Sequence, residues 1–125
     1  MPITTQSNQT PVPASRIWEL SRGKDSGLVA EGPAKSMQVG ESCLFAFSFG
    51  KDLPKGATIS SITSLAVEGG GSEVTLDSDE QGIDRELVKV HITGASAGSI
   101  RIRCKVAYSD GSAVEGDGGL KVVAA

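Results

Sequence analysis

The sequence predicts an all-β fold, and three observations carry that expectation. In residues 98–108, Ile100, Ile102, Cys104, Val106 and Tyr108 alternate with Arg101, Arg103, Lys105 and Ala107, and the run ends at an Asp110-Gly111 turn. Successive side chains of a strand point to opposite faces, so this is an antiparallel sheet strand with one buried and one wet face. In residues 42–49, Cys43, Phe45, Phe47 and Phe49 share one face, and Ser42, Leu44, Ala46 and Ser48 the other. All three phenylalanines thus fall on one side, and burying them at roughly 1.5–3 kcal/mol each makes this strand the centre of the expected core. Sixteen glycines and only five aromatics suit short strands joined by tight turns better than packed helices.

The elements follow in order. Residues 1–15 are polar, contain Pro2, Pro11 and Pro13 and show no periodicity, which predicts an extended N-terminal arm ahead of a domain over 16–125. Such an arm gains order only by lying along a partner or back on its own domain. Residues 16–20 read as a short strand with Ile17 and Leu20, or Trp18, pointing inward, and residues 21–27 as a turn-rich link. After a turn over 51–56, residues 59–67 read as a strand whose alternation slips at Ile62, as at a bulge. The Gly69-Gly70-Gly71 run breaks the chain. Val74 and Leu76 mark a short strand, residues 77–86 an acidic loop, and Val88, Val90 and Ile92 the inner face of the next strand. Residues 94–98 and 116–119 read as connectors, and residues 120–123 as the closing strand. Seven or eight short strands with turn signals and no helical period predict a two-sheet antiparallel β-sandwich.

A chain of 125 residues corresponds to one domain that buries roughly two-thirds of its unfolded surface without needing disulfides. A net charge of −3 and an isoelectric point near 5.1 give no general attraction to phosphates, so neither nucleic acid nor an anionic membrane is the expected partner. The first residues show no basic and apolar signal pattern, and no run approaches the length of a membrane span, so synthesis in a reducing cytoplasm is expected. In that setting the glycosylation sequon at Asn8 is a chance match.

Each constellation that carries chemistry elsewhere has a plainer account here. Cys43 and Cys104 lie sixty-one positions apart on inward strand faces, a separation similar to that of the paired cysteines of immunoglobulin domains. A disulfide there would add about 4 kcal/mol. Yet no Trp lies in the strand after Cys43, Ile102 rather than Tyr stands two before Cys104, and no secretion signal precedes them, so two reduced core thiols are expected. Asp77, Asp79 and Gly82 resemble the first half of a calcium loop, but its twelfth position is Val88 where a bidentate Glu is required, which leaves a solvated acidic segment. His91, the only histidine, falls on the polar face opposite Val90 and Ile92, and the sequence alone provides neither a nucleophile nor an orienting group for it. No serine lies in a Gly-x-Ser-x-Gly elbow, and the triple glycine lacks the Lys-Ser/Thr or helix of a phosphate-cradling loop. No enzyme, cofactor or metal site is expected.

Arg101, Arg103 and Lys105 project from one face about 7 Å apart. They form either a solvated or edge-protecting face, or a contact stripe for an acidic partner such as the 77–86 segment of a neighbouring copy. The candidate partner contacts are therefore Arg101, Arg103 and Lys105, together with Pro2, Ile3, Pro11, Val12 and Pro13 of the arm.

Phe45-x-Phe47-x-Phe49, Leu53-x-x-Gly56-x-Thr58-Ile59, Gly94-x-x-x-Gly98, the strand ending at Tyr108 and Gly111, and the closing Leu120-Lys-Val122 together resemble small immunoglobulin-like virion proteins of tailed bacteriophages. The pattern is similar to that of fibre-tail adaptors, with head decoration proteins as architectural relatives, and covers roughly residues 42–123. The resemblance implies an immunoglobulin-like sandwich and a non-enzymatic role at the neck or tail or on the capsid. Its partners would be other virion proteins in a symmetric assembly, with the chain made in the host cytoplasm and located in the virion. A carbohydrate- or cell-surface-binding module is the alternative, and it would need exposed aromatics, with Trp18 and Tyr108 the only Trp and Tyr.

Overall fold

The structure, a computed structural model, describes residues 7–22, 27–68 and 72–125. Among them are nine strands: β1 (Ile17–Arg22), β2 (Leu28–Ala30), β3 (Lys35–Gln38), β4 (Ser42–Ser48), β5 (Ile59–Glu68), β6 (Val74–Asp84), β7 (Leu87–Gly94), β8 (Gly98–Tyr108) and β9 (Ala113–Val123). A three-residue 3-10 turn, Ala14–Arg16, precedes them. The fold is all-β. Strands pair in the order β5-β8-β9-β2-β1-β4-β7-β6, with β3 added to β9. The two ends of this path, β5 and β6, touch, so the sheet curls into a nearly closed, barrel-like sandwich.

β1 joins the two halves of the path. Its first half, Ile17 to Glu19, runs parallel to β4, and its second half, Leu20 to Arg22, runs antiparallel to β2. The expectation of a purely antiparallel sheet is thereby corrected: β1–β4, β2–β9 and β3–β9 are parallel, because β1, β2 and β3 lay the first part of the chain alongside strands that come much later. The remaining ladders, β4–β7, β5–β8, β6–β7 and β8–β9, are antiparallel.

The core forms where the alternation places it. Phe45, Phe47, Val88, Val90 and Ile92 point inward from one half of the path, and Ile100, Ile102, Cys104 and Val106 from the other. Trp18, not Ile17, joins Leu20 as an inward residue of β1, and its ring stacks on Phe45 and Phe47 with centroids 5.2 and 4.7 Å apart. The indole Nε1 donates to the Gly119 carbonyl at 3.0 Å, so the polar end of the buried ring is satisfied. At the other end of the core Phe49 meets Tyr108 edge-on, and the Tyr108 hydroxyl donates to Asp52, which also receives a forked pair of bonds from Arg22. This ties the ends of β8 and β1 to the turn after β4.

Three local expectations are corrected. Residues 77–84 are not a loop: they continue β6, and the register moves from Asp77 opposite His91 to Gly82 opposite Lys89, so five steps on β6 match two on β7. That irregularity hides the strand period. Residues 116–119 are not a connector but the middle of β9. A Cβ on Gly118 would come within 2.5 Å of the Trp18 ring, and one on Gly116 within 2.7 Å of Leu20, so these glycines are the floor on which β1 packs. β8, read as a possible edge, is an interior strand between β5 and β9. The slip expected at Ile62 appears as register shifts on both sides of it.

Cys43 is half-buried and Cys104 fully buried, and both are free thiols. Burial pushes the Cys104 thiol far above the ordinary range, which suppresses its thiolate. Iodoacetamide applied to the folded protein is expected to label Cys43 and spare Cys104, and both should react once the chain is unfolded without reductant. Native labelling of Cys104 at the rate of Cys43 would show that the β8 core opens locally.

Candidate interaction surface

The cations of β8 project outward as the alternation requires, and the register determines what they meet. Arg101 lies opposite Gly119 on β9 and Glu68 on β5, Arg103 opposite Asp117 and Ala66, and Lys105 opposite Glu115 and Ser64. Arg103 grips Asp117 with two bonds, Nε to Oδ1 at 2.9 Å and Nη2 to Oδ2 at 3.3 Å, and reaches Glu68 at 3.4 Å through Nη1. Arg101 shares Asp117 at 3.7 Å. The hydrogen bonds and charge of Asp117 hold the Arg103 guanidinium protonated well beyond its ordinary range.

The three cations therefore differ in role. Arg103 is bound within its own sheet, whereas Arg101, 59% exposed at its side chain, and Lys105 remain available to a partner. The acid beside the row comes from Glu68 on β5 and from Glu115 and Asp117 on β9 of the same chain, and not from the 77–86 segment. The outward alternation of Glu115, Asp117, Gly119 and Lys121 within β9 is the signal that would have found two of them.

Beside Arg101 the β2–β3 connection stands off the sheet and leaves a groove of about 230 Å³, walled by Val29, Pro33 and Ala34 against Asp117 and Gly119. Val29, 43% exposed, is the one large hydrophobic side chain left open among the described residues. A smaller hollow of about 100 Å³ continues past Arg103 and Glu115. A short apolar strip bordered by the accessible Arg101 is the result, a composition that suits a protein surface.

The arm lies elsewhere. Pro2 and Ile3 fall outside the described residues; Pro11 and Pro13 are exposed and Val12 is half-buried. Ser7 bridges Ile83 in parallel, and the Asn8 amide donates to the Ile83 carbonyl at 3.2 Å, so of the two courses open to the arm it takes the one back onto its own domain. It covers β6 and β7, in the other half of the strand path from the Arg101 row.

His91 is half-buried at the outer surface. Ser42 Oγ lies 3.2 Å from its Nδ1 and 2.8 Å from Thr93 Oγ1, and Asp77 faces it in register. The fold thus brings a serine and a carboxylate residue to the histidine. Residues 77–82 run extended within β6, which precludes the wrap of a calcium loop. Among the described residues no group of three or more His, Cys, Asp or Glu could hold a metal ion, and no helix is long and apolar enough to cross a membrane. No protein-family model matches the chain, and no curated protein matches it in sequence.

Proposed function

We propose that this chain is a non-enzymatic structural protein of a tailed-phage particle, an adaptor at the neck or tail or a decoration protein on the capsid. Its work is protein contact, repeated over many copies. The observation that carries this reading is the surface on which Arg101 borders the groove at Val29, with Lys105 exposed further along the same strand face: an open apolar strip with accessible charge is what a contact face requires, and many weak copies of it hold firmly at high local concentration.

The strand partners support an immunoglobulin-like arrangement as part of the same proposal. β6-β7-β4 forms one group and β5-β8-β9-β3 the other, the pairing of a Greek-key sandwich in which an early strand runs parallel to the last. Balanced charge along the row, three cations against Glu68, Glu115 and Asp117, favours protein over nucleic acid as the target. The carbohydrate-binding alternative loses its platform, since Trp18, Phe45, Phe47, Phe49 and Tyr108 are the only aromatics and every one is buried.

Peptide mass spectrometry on gradient-purified particles of the phage that encodes the chain tests the proposal. The chain is expected in the particle band at a fixed stoichiometry, in multiples of the particle's symmetry. Its presence only in the soluble fraction of the lysed host would refute the assignment.

A further inference from the structure

The seat of the N-terminal arm is built around a buried lysine. Lys89 points outward from β7, away from Val88 and Val90, yet it is only 1% exposed, with Thr10 of the arm over its ammonium. Its ammonium donates to the Thr10 carbonyl and pairs with Asp84 at 3.1 Å. Opposite Lys89 in register, Ala46 on β4 and Gly82 on β6 are also buried on this side of the sheet. Gly82 has a specific reason to lack a side chain: a Cβ there would come within 2.8 Å of the Asn8 backbone nitrogen.

We propose that this seat accepts the arm of a second copy of the chain, so that copies exchange residues 7–13 and become linked. Three features point to exchange. The arm is held through its backbone, by the Ser7–Ile83 bridge, the Asn8 amide and the Thr10 carbonyl, and these bonds are the same whichever copy provides the arm. It buries little apolar surface, since Ser7, Gln9, Thr10 and Pro11 are all exposed, so release is easy. Release also leaves Lys89 without its Thr10 acceptor beside an empty strand edge, so an open arm and a seat able to take one arise together on each molecule. Two opened copies satisfy one another. Pro11 and Pro13 flank the passage from the arm to the body, and Pro13 sits at φ −64° and ψ 149°, an extended conformation that keeps this passage straight whichever copy the arm reaches. This inference does not depend on the phage assignment.

Within one molecule the arm competes for its seat at an effective concentration of roughly millimolar, so wild-type chains exchange only when densely packed. A pair of full-length variants removes that competition. Asn8→Pro deletes the amide that reaches Ile83 and leaves the seat intact, while Gly82→Val blocks the seat and leaves the arm intact. Each alone is expected to sediment as a monomer with a near wild-type circular dichroism spectrum. Mixed in equal amounts they are expected to form a one-to-one complex of twice the mass. A mixture that stays monomeric at millimolar concentration overturns the proposal. Should either variant fail to fold, isotope-filtered NMR on mixed labelled and unlabelled wild-type chains reads the same contact. An intermolecular Thr10–Lys89 signal at millimolar concentration supports exchange, and a purely intramolecular one overturns it.

Discussion

Replacing Trp18 with alanine is expected to lower folding stability by about 3–5 kcal/mol. The ring is 1% exposed, stacked between Phe45 and Phe47 on one side and the glycine floor of β9 on the other. The space it leaves cannot close, because β9 is held in an unbroken ladder with β8 from Gly98 opposite Val122 to Ala107 opposite Ala113. Gly118→Val tests the same contact from below. Its side chain collides with a ring that has no room to move, at a cost of about 1–3 kcal/mol. Combined, Trp18→Ala and Gly118→Val are expected to cost less than the sum of the two, since the valine fills part of the cavity. Urea unfolding of the four proteins measures all three terms. A loss below about 1 kcal/mol for Trp18→Ala would show that the β1 docking site is not a rigid part of the core.

The second large effect concerns assembly. With Arg101→Glu and Lys105→Glu together, the chain is expected to melt as wild type does, because exposed charge pairs contribute only about 0–1 kcal/mol each. On a particle the same small change recurs at every copy and compounds, so incorporation in competition with wild type is expected to fall at least about tenfold. Wild-type incorporation should weaken as salt rises. Arg103→Glu behaves differently: it sets a third carboxylate against Asp117 and Glu68, and it is expected to lower the melting temperature before any question of contact arises. This division revises the simpler expectation that all three cations act alike. Equal incorporation of the double variant across the salt range would make the row a solvated sheet face.

The strands that could be read from the sequence are β4, β7 and β8, whose inward residues recur with period two. In β8 that period is a direct record of burial, whereas in β4 and β7 Ala46, Ser48 and Lys89 are buried on the other face as well. β6 escaped because its ladder is interrupted between Asp77 and Gly82, and because Gly82 is buried under the arm on the side an isolated sheet would leave wet. β9 escaped because Gly116 and Gly118, turn signals in isolation, are small in order to admit Leu20 and Trp18. β2 and β3, with three and four residues, are too short to show a period at all. At the candidate site the cations were legible and their partners were not. Glu68, Glu115 and Asp117 lie far from Arg103 or across a turn from it, and only the pairing of β8 with β5 and β9 brings them together.

The three parallel pairings, β1 with β4 and β2 and β3 with β9, all involve the first strands of the chain, and they determine how the protein meets a mechanical pull. Once β1 and β2 have given way, tension applied between the two ends draws β3 toward its beginning and β9 toward its end. The force then runs along the pair in opposite senses and loads the contacts from Lys35–Leu120 to Gln38–Val123 together. An antiparallel hairpin pulled at its open end yields one bond at a time. This pair must slide as a unit, so β3 and β9 form a shear-loaded clamp.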